Sequence, residues 1–464
     1  MIHQYKNNGY NIVLDVNSGA VHVVDDMSYD VIAVVDKTKN DPTAEDIRDL
    51  EETVIDALKD TYDVAEIKEA LGEVAEIAEG GRLFTKDIYE PLMSEVKKRK
   101  TVVKALCLHI AHDCNLACRY CFAEEGEYHG RRALMSYEVG KKALDFLVEN
   151  SGTRRNLEVD FFGGEPLLNW QVVKDLTAYG RELEKHHDKK FRFTVTTNGV
   201  LLDDEKMAFI NKEMSNVVLS LDGRKEVHDH MRPFRNGSGS YDLIVPKFQK
   251  LAESRDHKQY YIRGTFTRDN LDFAEDVKHF ADLGFKEMSM EPVVGGDDEP
   301  YAIRKEDIPK ICEQYDALAR FMIEREKEGR GFNFFHFMID LTGGPCVYKR
   351  MSGCGSGTEY LAVTPWGDLY PCHQFVGDED FIMGNVDEGI TRPDIADNFR
   401  ACNVYTKEKC KNCFAKFYCS GGCTANGYKL AGSLNDVYEV GCILERKRVE
   451  SAIMIKAALA EEKE

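Results

Sequence analysis

The sequence has no long hydrophobic runs. Although 43% of its residues are hydrophobic, no uninterrupted apolar stretch approaches the roughly 20 residues that a transmembrane helix requires. The opening stretch MIHQYKNNGYNIVLDVNSG also lacks a basic region followed by an apolar stretch and a small-residue cleavage site, which is the pattern of a secretory signal. We therefore expect a cytoplasmic protein that has no membrane partner.

Positive charge is scarce as well. The chain has 61 Lys and Arg residues against 81 Asp and Glu residues, which gives a formal net charge of -20. Nucleic-acid binding depends on Lys and Arg side chains that neutralise phosphates and release counterions. Because a strongly acidic chain repels the phosphate backbone, a nucleic-acid partner is not expected.

Cysteine, by contrast, is abundant, with 14 residues in the chain. Thiols stay reduced in the cytosol, so clustered cysteines there hold metal more often than they form disulfides. The cysteines form one group between residues 107 and 121 and another between residues 346 and 442, with Cys312 alone between them. Each group is a candidate metal site.

Short β-rich runs alternate with helix-length amphipathic segments between residues 105 and 292. The runs are ALCLHI, LEVDFF, RFTVTTN, NVVLSLD, YYIRGTFT and KEMSMEPV. This alternation predicts an α/β fold with a parallel sheet and right-handed crossovers. Six such units predict a partial (β/α)6 barrel, in which the loops at the carboxyl ends of the strands carry the chemistry.

The regions that flank the barrel differ from it, and the length of 464 residues itself predicts several domains. The first region reads as a β-hairpin that turns at Asn17-Ser18-Gly19, followed by helical periodicity, which predicts a small separate α+β module. The last quarter has few apolar residues for an ordinary core, so we expect another source of stability there. The predicted parts are a module at 1–82, a linker helix at 83–104, the barrel at 105–310, a bridging helical region at 311–345, a Cys-rich domain at 346–450 and a C-terminal tail at 451–464.

Directly after the first barrel strand, Cys114, Cys118 and Cys121 form a C-x3-C-x2-C triad. Four thiolates complete a tetrahedral zinc site or a cubane cluster, whereas three leave one metal position open to a ligand. Three buried core cysteines and a zinc site with a distant fourth ligand are the alternatives for the triad alone. We expect His109 and His112 to be hydrogen-bonded strand-end residues rather than ligands, since three thiolates suffice.

The second barrel strand runs straight into Gly163-Gly164-Glu165-Pro166. Glycine permits close backbone approach to a ligand, and a carboxylate can accept hydrogen bonds from an ammonium group. A turn would explain a lone Gly-Gly-Glu-Pro, but its place one βα unit after the triad favours a binding site. Two later strand ends carry Asn198 and Ser220, for which Asn-Gly and Asp-Gly turns are the alternative explanation.

Together these motifs resemble those of the radical S-adenosylmethionine (SAM) enzymes. The resemblance implies that Cys114, Cys118 and Cys121 hold a [4Fe-4S] cluster whose free iron chelates the amino and carboxylate groups of SAM. It places the Tyr120 ring near the adenine, Ser220 near the methionyl or ribose part, and Arg263 on the carboxylate, although an ordinary ion pair is an equally good explanation of Arg263. The residues implied in SAM binding are Tyr120, Phe122, Gly163, Gly164, Glu165, Pro166, Asn198, Ser220 and Arg263.

The spacing of the cysteines in the last quarter resembles the SPASM extension of radical SAM enzymes that modify peptides. The resemblance implies two auxiliary [4Fe-4S] clusters, making three in all, whose ligation replaces a hydrophobic core much as structural zinc does. One cluster would be held by Cys410, Cys413, Cys419 and Cys442, and the other by Cys354, Cys372 and Cys423. Cys346 is either the fourth ligand of the second set or leaves that iron open to a substrate thiolate. A purely structural double-zinc domain is the alternative, and Cys107, Cys312 and Cys402 are expected to be small buried residues.

The stretch NGYNIVLDVNSGAVHVVDDMSYDVI resembles the opening of the maturases for SCIFF peptides, which have six cysteines in forty-five residues. The resemblance implies a winged-helix-like recognition element whose sheet edge takes the leader of a Cys-rich precursor peptide as an added strand. It further implies that the enzyme joins a Cys sulfur to a Thr carbon as a thioether, using the 5′-deoxyadenosyl radical from reductive SAM cleavage. The electron would come from a donor such as ferredoxin or flavodoxin.

Three other interpretations remain open. The N-terminal module could be a cap on the barrel. The enzyme could be of the anaerobic sulfatase-maturing type, which oxidises Ser or Cys to formylglycine. Finally, the chain could be a non-catalytic iron-sulfur electron carrier or scaffold, which would need no grip on SAM at Gly163-Gly164-Glu165-Pro166.

Overall fold

The computed structural model describes residues 1–93, 101–128, 131–341 and 350–461. Its amino-terminal part is a three-stranded antiparallel sheet with four helices. The strands are β1 (Ile2–Asn7), β2 (Tyr10–Asp15) and β3 (Val21–Val24), and the helices are α1 (Asp26–Thr38), α2 (Ala44–Asp49), α3 (Glu51–Leu58) and α4 (Val64–Glu79). The hairpin predicted around Asn17-Ser18-Gly19 is confirmed, since β2 and β3 pair with Leu14 opposite Val21.

Alternation along β2 gives this small sheet two buried faces. Val13 packs into a cluster with helices α1 to α4. Its neighbours Ile12 and Leu14 point the other way and belong to the same hydrophobic cluster as the barrel residues, because successive side chains of a strand point to opposite faces. The sequence suggested a separate module. In the structure one face of its sheet instead shares a core with the rest of the chain.

The centre of the molecule is one twelve-stranded sheet. Its strands are β4 (Ala105–His112), β5 (Ala133–Leu134), β6 (Asn156–Gly163), β7 (Lys190–Thr197), β8 (Met214–Ser220), β9 (Tyr260–Phe266), β10 (Glu287–Pro292), β11 (Asn333–Phe334), β12 (Tyr360–Val363), β13 (Asp368–Tyr370), β14 (Gly384–Asn385) and β15 (Gly389–Ile390). Strands β4, β6, β7, β8, β9 and β10 are parallel neighbours in that order. All six predicted β-rich runs lie in these strands, so the predicted α/β architecture is confirmed.

Helices lie between the barrel strands in the chain, and five more follow β15. They are α5 (Tyr137–Asn150), α6 (Trp170–His186), α7 (Asp204–Glu213), α8 (Lys225–Met231), α9 (Tyr241–Ser254), α10 (Phe273–Asp282), α11 (Ile308–Lys327), α12 (Pro393–Ala401), α13 (Glu408–Lys411), α14 (Lys416–Cys419), α15 (Thr424–Ala431) and α16 (Glu439–Glu461). Several begin at a side-chain cap, such as Ser136 before α5 and Asp203 before α7, which satisfies a free backbone N–H group.

The sequence did not indicate that β12 extends the barrel sheet. This strand pairs in parallel with β4, with Tyr360 opposite Ala105 and Val363 opposite Leu108. All eight residues of β4 are buried, because it has a neighbour on both sides. The carboxyl-terminal region is therefore joined to the barrel through backbone hydrogen bonds.

The expectation that the last quarter lacks an ordinary hydrophobic core was wrong. Phe375, Phe381 and Phe399 are buried and in mutual contact, with ring centroids 4.3 to 6.2 Å apart. They belong to the cluster that fills the barrel. Sparse apolar residues suffice here because the barrel supplies the opposite surface.

One boundary prediction differs from the structure, and another stays a prediction. The linker helix predicted at 83–104 falls in part on residues 94–100, which lie outside the described chain; before them the structure has a 3-10 turn at Glu90–Leu92 and long-range contacts of Asp87. Residues 451–461 are not a tail, since they continue α16 with Ile453 and Met454 fully buried. The bridging helical region contains α11. Among the described residues, no helix is both long and apolar enough to cross a membrane.

Candidate active site

The cysteine triad lies on the loop that follows β4, at the carboxyl end of the barrel sheet. The segment after α8 holds this loop through its backbone: Ala117 N–H donates to Pro233 O and Arg119 N–H to Met231 O, both at 2.9 Å. The guanidinium of Arg235 donates to the carbonyl of Cys114 at 3.0 Å. The three thiols therefore occupy a loop that is fixed by a distant part of the chain.

Gly163 and Gly164 bring the end of β6 against the same loop. A Cβ atom on Gly163 would lie 2.3 Å from the carbonyl oxygen of Ala111, and one on Gly164 would lie 2.2 Å from that of Asp113. Neither backbone oxygen can yield easily. Gly163 also has a φ of +123°, which only glycine adopts readily. Both glycines are needed for the two loops to pass each other.

Glu165 connects this loop to the next one. Its carboxylate is fully buried and accepts hydrogen bonds from Leu167 N–H at 3.0 Å, from the Thr197 hydroxyl at 2.8 Å and from Asn198 N–H at 2.8 Å. Burial raises the pKa of Glu165, while these donors oppose the rise. In the described chain this carboxylate thus orders the ends of β6 and β7, and Pro166 starts a 3-10 turn behind it.

Asn198 reaches back to the cysteine loop. Its side-chain amide donates to Asn115 Oδ1 at 2.8 Å and lies 3.7 Å from Cys114 Sγ. His109 and His112 hydrogen-bond to each other at 3.0 Å, which confirms that they are hydrogen-bonded strand-end residues. Burial lowers the pKa of His112 to about 4.

Tyr120 belongs to a buried polar cluster whose other members were not singled out from the sequence. Its hydroxyl donates to Asp222 Oδ2 at 2.5 Å and accepts from Arg232 Nη1 at 2.9 Å. Burial opposes the charged form of Arg232, but Cys118, Tyr120 and Asp222 hold its pKa above the ordinary value. Asp222 lies two residues after Ser220, and Arg232 lies directly after α8; the sequence pattern did not indicate that these two side chains meet at Tyr120.

The triad opens into one cavity of about 370 Å³. Ten of the predicted residues line it: Cys114, Cys118, Tyr120, Cys121, Phe122, Gly163, Gly164, Asn198, Ser220 and Arg263. Glu165 and Pro166 are buried and are not part of this lining. The far wall consists of Gln374, Asn426 and Lys429, which lie close in sequence to Cys372 and Cys423.

Glu291, also in the cavity wall, is a carboxylate that the sequence analysis missed. Burial would raise its pKa, yet His336, Arg448 and Arg263 hold that pKa at about 2. Arg448 Nη2 lies 3.5 Å from Glu291 Oε2 and His336 Nε2 lies 3.4 Å from Oε1. The cavity therefore carries a fixed negative charge beside Arg263. The Glu291 carboxylate that supplies it lies next to Arg448 and His336, which only the folded chain brings together.

The triad fits a metal cluster by the chemistry of its donors. Burial raises the pKa of Cys114 to about 12 and that of Cys118 to about 11, so without a cation these thiols are protonated. A bound metal removes the proton from a coordinating thiol. Three thiols that share one loop at the mouth of a cavity, with Asn198 and Arg232 beside them, leave room for a ligand on the fourth side.

The carboxyl-terminal cysteines form the two predicted groups. Cys410, Cys413, Cys419 and Cys442 line one cavity of about 70 Å³. Burial, and then the Cys423 and Cys354 thiols, raise the pKa of Cys372 to about 12, as expected when these three lie together. In the described residues no three His, Cys, Asp or Glu side chains are arranged to hold a metal ion, although the four cysteines share one cavity. Cys346 lies outside the described residues.

Among the remaining cysteines, Cys107 and Cys402 are buried and Cys312 is partly buried. Cys402 donates a weak hydrogen bond to the carbonyl of Asn398 at 3.3 Å.

Comparison with known proteins agrees with this grouping. Residues 108–257 match the model of the radical SAM superfamily, and residues 354–414 match that of an iron-sulfur cluster-binding domain, SPASM. The radical SAM cyclopropyl synthase TigE of Paramaledivibacter caminithermalis is 22% identical over 76% of this chain and 74% of its own length.

Two solved structures have a similar fold. Native anSMEcpe with bound AdoMet and Cp18Cys peptide covers 78% of this chain and 99% of its own, with 20% identity and a TM-score of 0.64. Streptococcus suis SuiB bound to precursor peptide SuiA covers 95% of this chain and 98% of its own, with 15% identity and a TM-score of 0.54. Residues 108–257 and 354–414 of this chain are thus similar to a radical SAM domain and to a SPASM iron-sulfur cluster-binding domain, in that order, and the solved structures share its fold.

Proposed function

We propose that this protein is a cytoplasmic radical SAM enzyme that installs a thioether, from a Cys sulfur to a Thr carbon, in a ribosomally made Cys-rich precursor peptide of the SCIFF type. The observation that carries the proposal is the single cavity that joins the triad loop to residues beside Cys372 and Cys423. A peptide in this cavity is within reach of both metal sites. Forming a carbon–sulfur bond requires one site that generates a carbon radical and another that binds the thiolate.

The likeness to SuiB supports a peptide substrate. SuiB was solved with a precursor peptide, and the likeness covers 95% of this chain, so it includes most of residues 1–82. The structure also leaves β3 available for a leader peptide. β1 contacts the C-terminal helix through Tyr5, whose hydroxyl donates to Glu450 O at 2.9 Å, whereas β3 pairs only with β2 in the described chain and exposes Val23.

A reduced cluster with SAM bound at the triad would supply a 5′-deoxyadenosyl radical that takes one hydrogen from a peptide carbon. As the carbon–sulfur bond forms, the substrate thiol would give up its proton, and the second electron would pass to the auxiliary cluster held by Cys354, Cys372 and Cys423. The residues of this chain bind and orient the reactants. Gly163 and Gly164 let the methionyl group approach the backbone, and Arg263 offers a guanidinium to the SAM carboxylate. Lys429 and Asn426 face the peptide from the opposite wall, beside the site of Cys354, Cys372 and Cys423, where the substrate thiolate binds.

Anaerobic sulfatase maturation is the second candidate, because the likeness to anSMEcpe has the higher TM-score, 0.64. That reaction needs no leader-binding module. The N-terminal sheet with its unpaired β3 edge therefore favours precursor-peptide maturation. A non-catalytic electron carrier would not need the glycine-lined cavity and would not cleave SAM, whereas the proposed enzyme needs both the cavity and an electron donor such as ferredoxin or flavodoxin.

The reaction is tested by anaerobic incubation of iron-reconstituted protein with SAM, dithionite and a Cys-rich precursor peptide encoded near its gene. We expect the peptide to lose two hydrogens and one thiol to become protected from alkylation, as measured by mass spectrometry. Aldehyde formation at a Ser or Cys would identify the sulfatase-maturing reaction instead. SAM cleavage that leaves every peptide unchanged would refute the maturase.

Leader binding is tested separately at β3. Successive N–H groups of a strand point to opposite sides, so one of the variants His22→Pro and Val23→Pro removes an outward donor from the free edge. We expect that variant to bind a fluorescent leader peptide about tenfold more weakly, since one lost backbone contact costs about 1.4 kcal/mol. Val23→Thr keeps the strand and is the control. Unchanged affinity in both proline variants would exclude β3 as the docking edge.

A further inference from the structure

A buried ion pair lies beside the cysteine cavity formed by Cys410, Cys413, Cys419 and Cys442. The Lys416 side chain is 3% exposed, and its Nζ is 2.7 Å from Asp87 Oδ2. Lys416 also lines that cavity. Its Nζ additionally donates to the carbonyl of Lys411 at 3.3 Å, and Lys411 lies between the first two cysteines of the set. The ammonium group therefore ties Asp87 to the C-x2-C loop, and the Lys416 side chain forms part of the cavity wall.

Asp87 comes from the segment between the N-terminal module and the barrel. The Tyr405 hydroxyl contacts both of its carboxylate oxygens, at 2.9 and 3.0 Å. Burial raises the pKa of Asp87, but Lys416 and the N–H of Tyr89 outweigh it and lower that pKa. The carboxylate is thus ionised, and Lys416 is the cation that compensates it.

The N-terminal module touches the same loop at a second point. The His3 ring stacks on Phe414, with ring centroids 3.4 Å apart and an interplanar angle of 3°. Phe414 directly follows Cys413. His3 Nε2 also lies 2.9 Å from Glu450 Oε1. Both the start of the module and the segment after it therefore contact the ten-residue span 410–419, which carries Cys410 in α13, Cys413 in the loop that follows and Cys419 in α14.

We propose that Lys416 is a positioning residue for the auxiliary site at Cys410, Cys413, Cys419 and Cys442, and that Asp87 couples this site to the N-terminal module. A cluster ligated by four thiolates is anionic, and one-electron reduction adds negative charge. Reduction potentials of such clusters depend on nearby charge and burial, and a buried charge is screened little by solvent. Lys416 therefore favours the reduced form, while Asp87 moderates its effect.

The test is a potentiometric titration of the reconstituted full-length chain, followed by electron paramagnetic resonance. The signal of this site is assigned by its absence in Cys442→Ala. We expect Lys416→Met to shift its midpoint to a more negative potential, Asp87→Asn to shift it to a more positive one, and the double variant to lie between them. Shifts of both single variants in the same direction, or no shift in either, would overturn the electrostatic role.

Lys409→Met is the matched control, because Lys409 also lines the cavity but is exposed to solvent. Its shift should be smaller than that of Lys416→Met. If Lys416→Met fails to retain iron, Lys416→Arg decides the question, since it keeps the charge. Retained iron and a midpoint near that of the unmodified chain support the proposal, whereas iron loss in Lys416→Arg as well contradicts it.

The coupling to the module has its own readout. Cys410→Ala/Cys413→Ala removes two ligands, and we expect backbone hydrogen exchange across residues 1–24 to become faster than in the loaded unmodified chain. Cys354→Ala, at the other auxiliary group, is the control. In this variant, exchange across residues 1–24 should stay as slow as in the loaded unmodified chain. Equal protection of residues 1–24 in all three proteins would refute the coupling. None of these measurements requires the peptide reaction, so they stay informative if the proposed function fails.

Discussion

Asp160 illustrates, at the scale of single residues, how the barrel interior changes a titratable group. It lies in β6, and burial raises its pKa from 3.8 to about 6, with a further rise from Glu158 and an opposing hydrogen bond from Thr194. A carboxyl group whose pKa is raised by folding stabilises the protein at low pH and loses that contribution as pH rises through the folded pKa. Above about pH 6 the buried charge is a cost to the fold.

Asp160→Asn should therefore stabilise the protein at neutral and alkaline pH. The gain is at most about 3 kcal/mol, the equivalent of a shift of about two pKa units. We expect the melting temperature of the variant to exceed that of the unmodified chain at pH 8, and the difference to shrink toward pH 5. Asp188→Asn, at a side chain that is 91% exposed, should show little difference at either pH.

Arg263 and Arg232 both line the cavity that we propose binds SAM, and substitutions at the two positions have different expected effects. If Arg263 pairs with the SAM carboxylate, Arg263→Met should weaken SAM binding about tenfold or more, since a charge-assisted pair contributes about 1.5–3 kcal/mol. Arg263→Lys should recover only part of the affinity, because lysine lacks the bidentate fork. Anaerobic equilibrium dialysis measures both.

Comparing Arg232→Met with Arg263→Met shows which of the two arginines binds the SAM carboxylate. Arg232 holds the Tyr120 hydroxyl at 2.9 Å, and its Nε has no hydrogen-bond partner in the described chain. Normal SAM affinity in Arg263→Met together with weak binding in Arg232→Met would assign the carboxylate to Arg232 and leave Arg263 as the partner of Glu291.

At the scale of elements, the local sequence pattern predicted the strands and turns that interactions between neighbouring residues determine. The six barrel strands, the β2–β3 hairpin and the triad loop follow from strand periodicity and turn residues, so they were predictable. Strand β1 was also within reach of local pattern, since Asn8-Gly9 is a hairpin turn that pairs it with β2, but it was missed. The β12–β4 pairing was not predictable, because four to eight residues of β propensity carry no record of a partner more than 200 positions away. Asp222 and Arg232 escaped notice for the same reason, since their significance lies in a contact with Tyr120.

The β12–β4 pairing predicts the behaviour of a shortened chain. A chain ending at residue 341 loses the partner of β4 along Ala105 to Leu108 and exposes the edge of a strand that is otherwise buried throughout. Unprotected edges of this kind promote association between chains. We expect the truncated protein to elute as aggregates in size-exclusion chromatography with light scattering. A monodisperse truncated barrel that still cleaves SAM would contradict this.

At the scale of the whole molecule, the shared core makes the N-terminal module part of the barrel's stability. Deleting residues 1–82 should remove Tyr5, Ile12, Leu14 and Val16 from the main hydrophobic cluster. Full burial of one such side chain contributes about 1.5–3 kcal/mol, so the melting temperature and the iron content should both fall. The proline variant that removes the outward donor of β3 should change neither the melting temperature nor the iron content. It therefore tests leader binding separately from stability, which the deletion does not. A deletion variant with unchanged melting temperature would show that the module is thermally independent.

The contact between β1 and α16 joins residues 447 positions apart, since His3 and Glu450 lie 2.9 Å from each other. During synthesis the first strand therefore leaves the ribosome long before its partner exists. Its buried side chains stay without that surface until nearly the whole chain is made, and contacts of such separation form slowly. The cysteine loop at Phe414, which stacks on His3, is completed in the same late step. Closure of the two ends of the chain and completion of the proposed iron site, which includes Cys442 in α16, are thus events of the finished polypeptide, and premature termination anywhere before α16 leaves both undone.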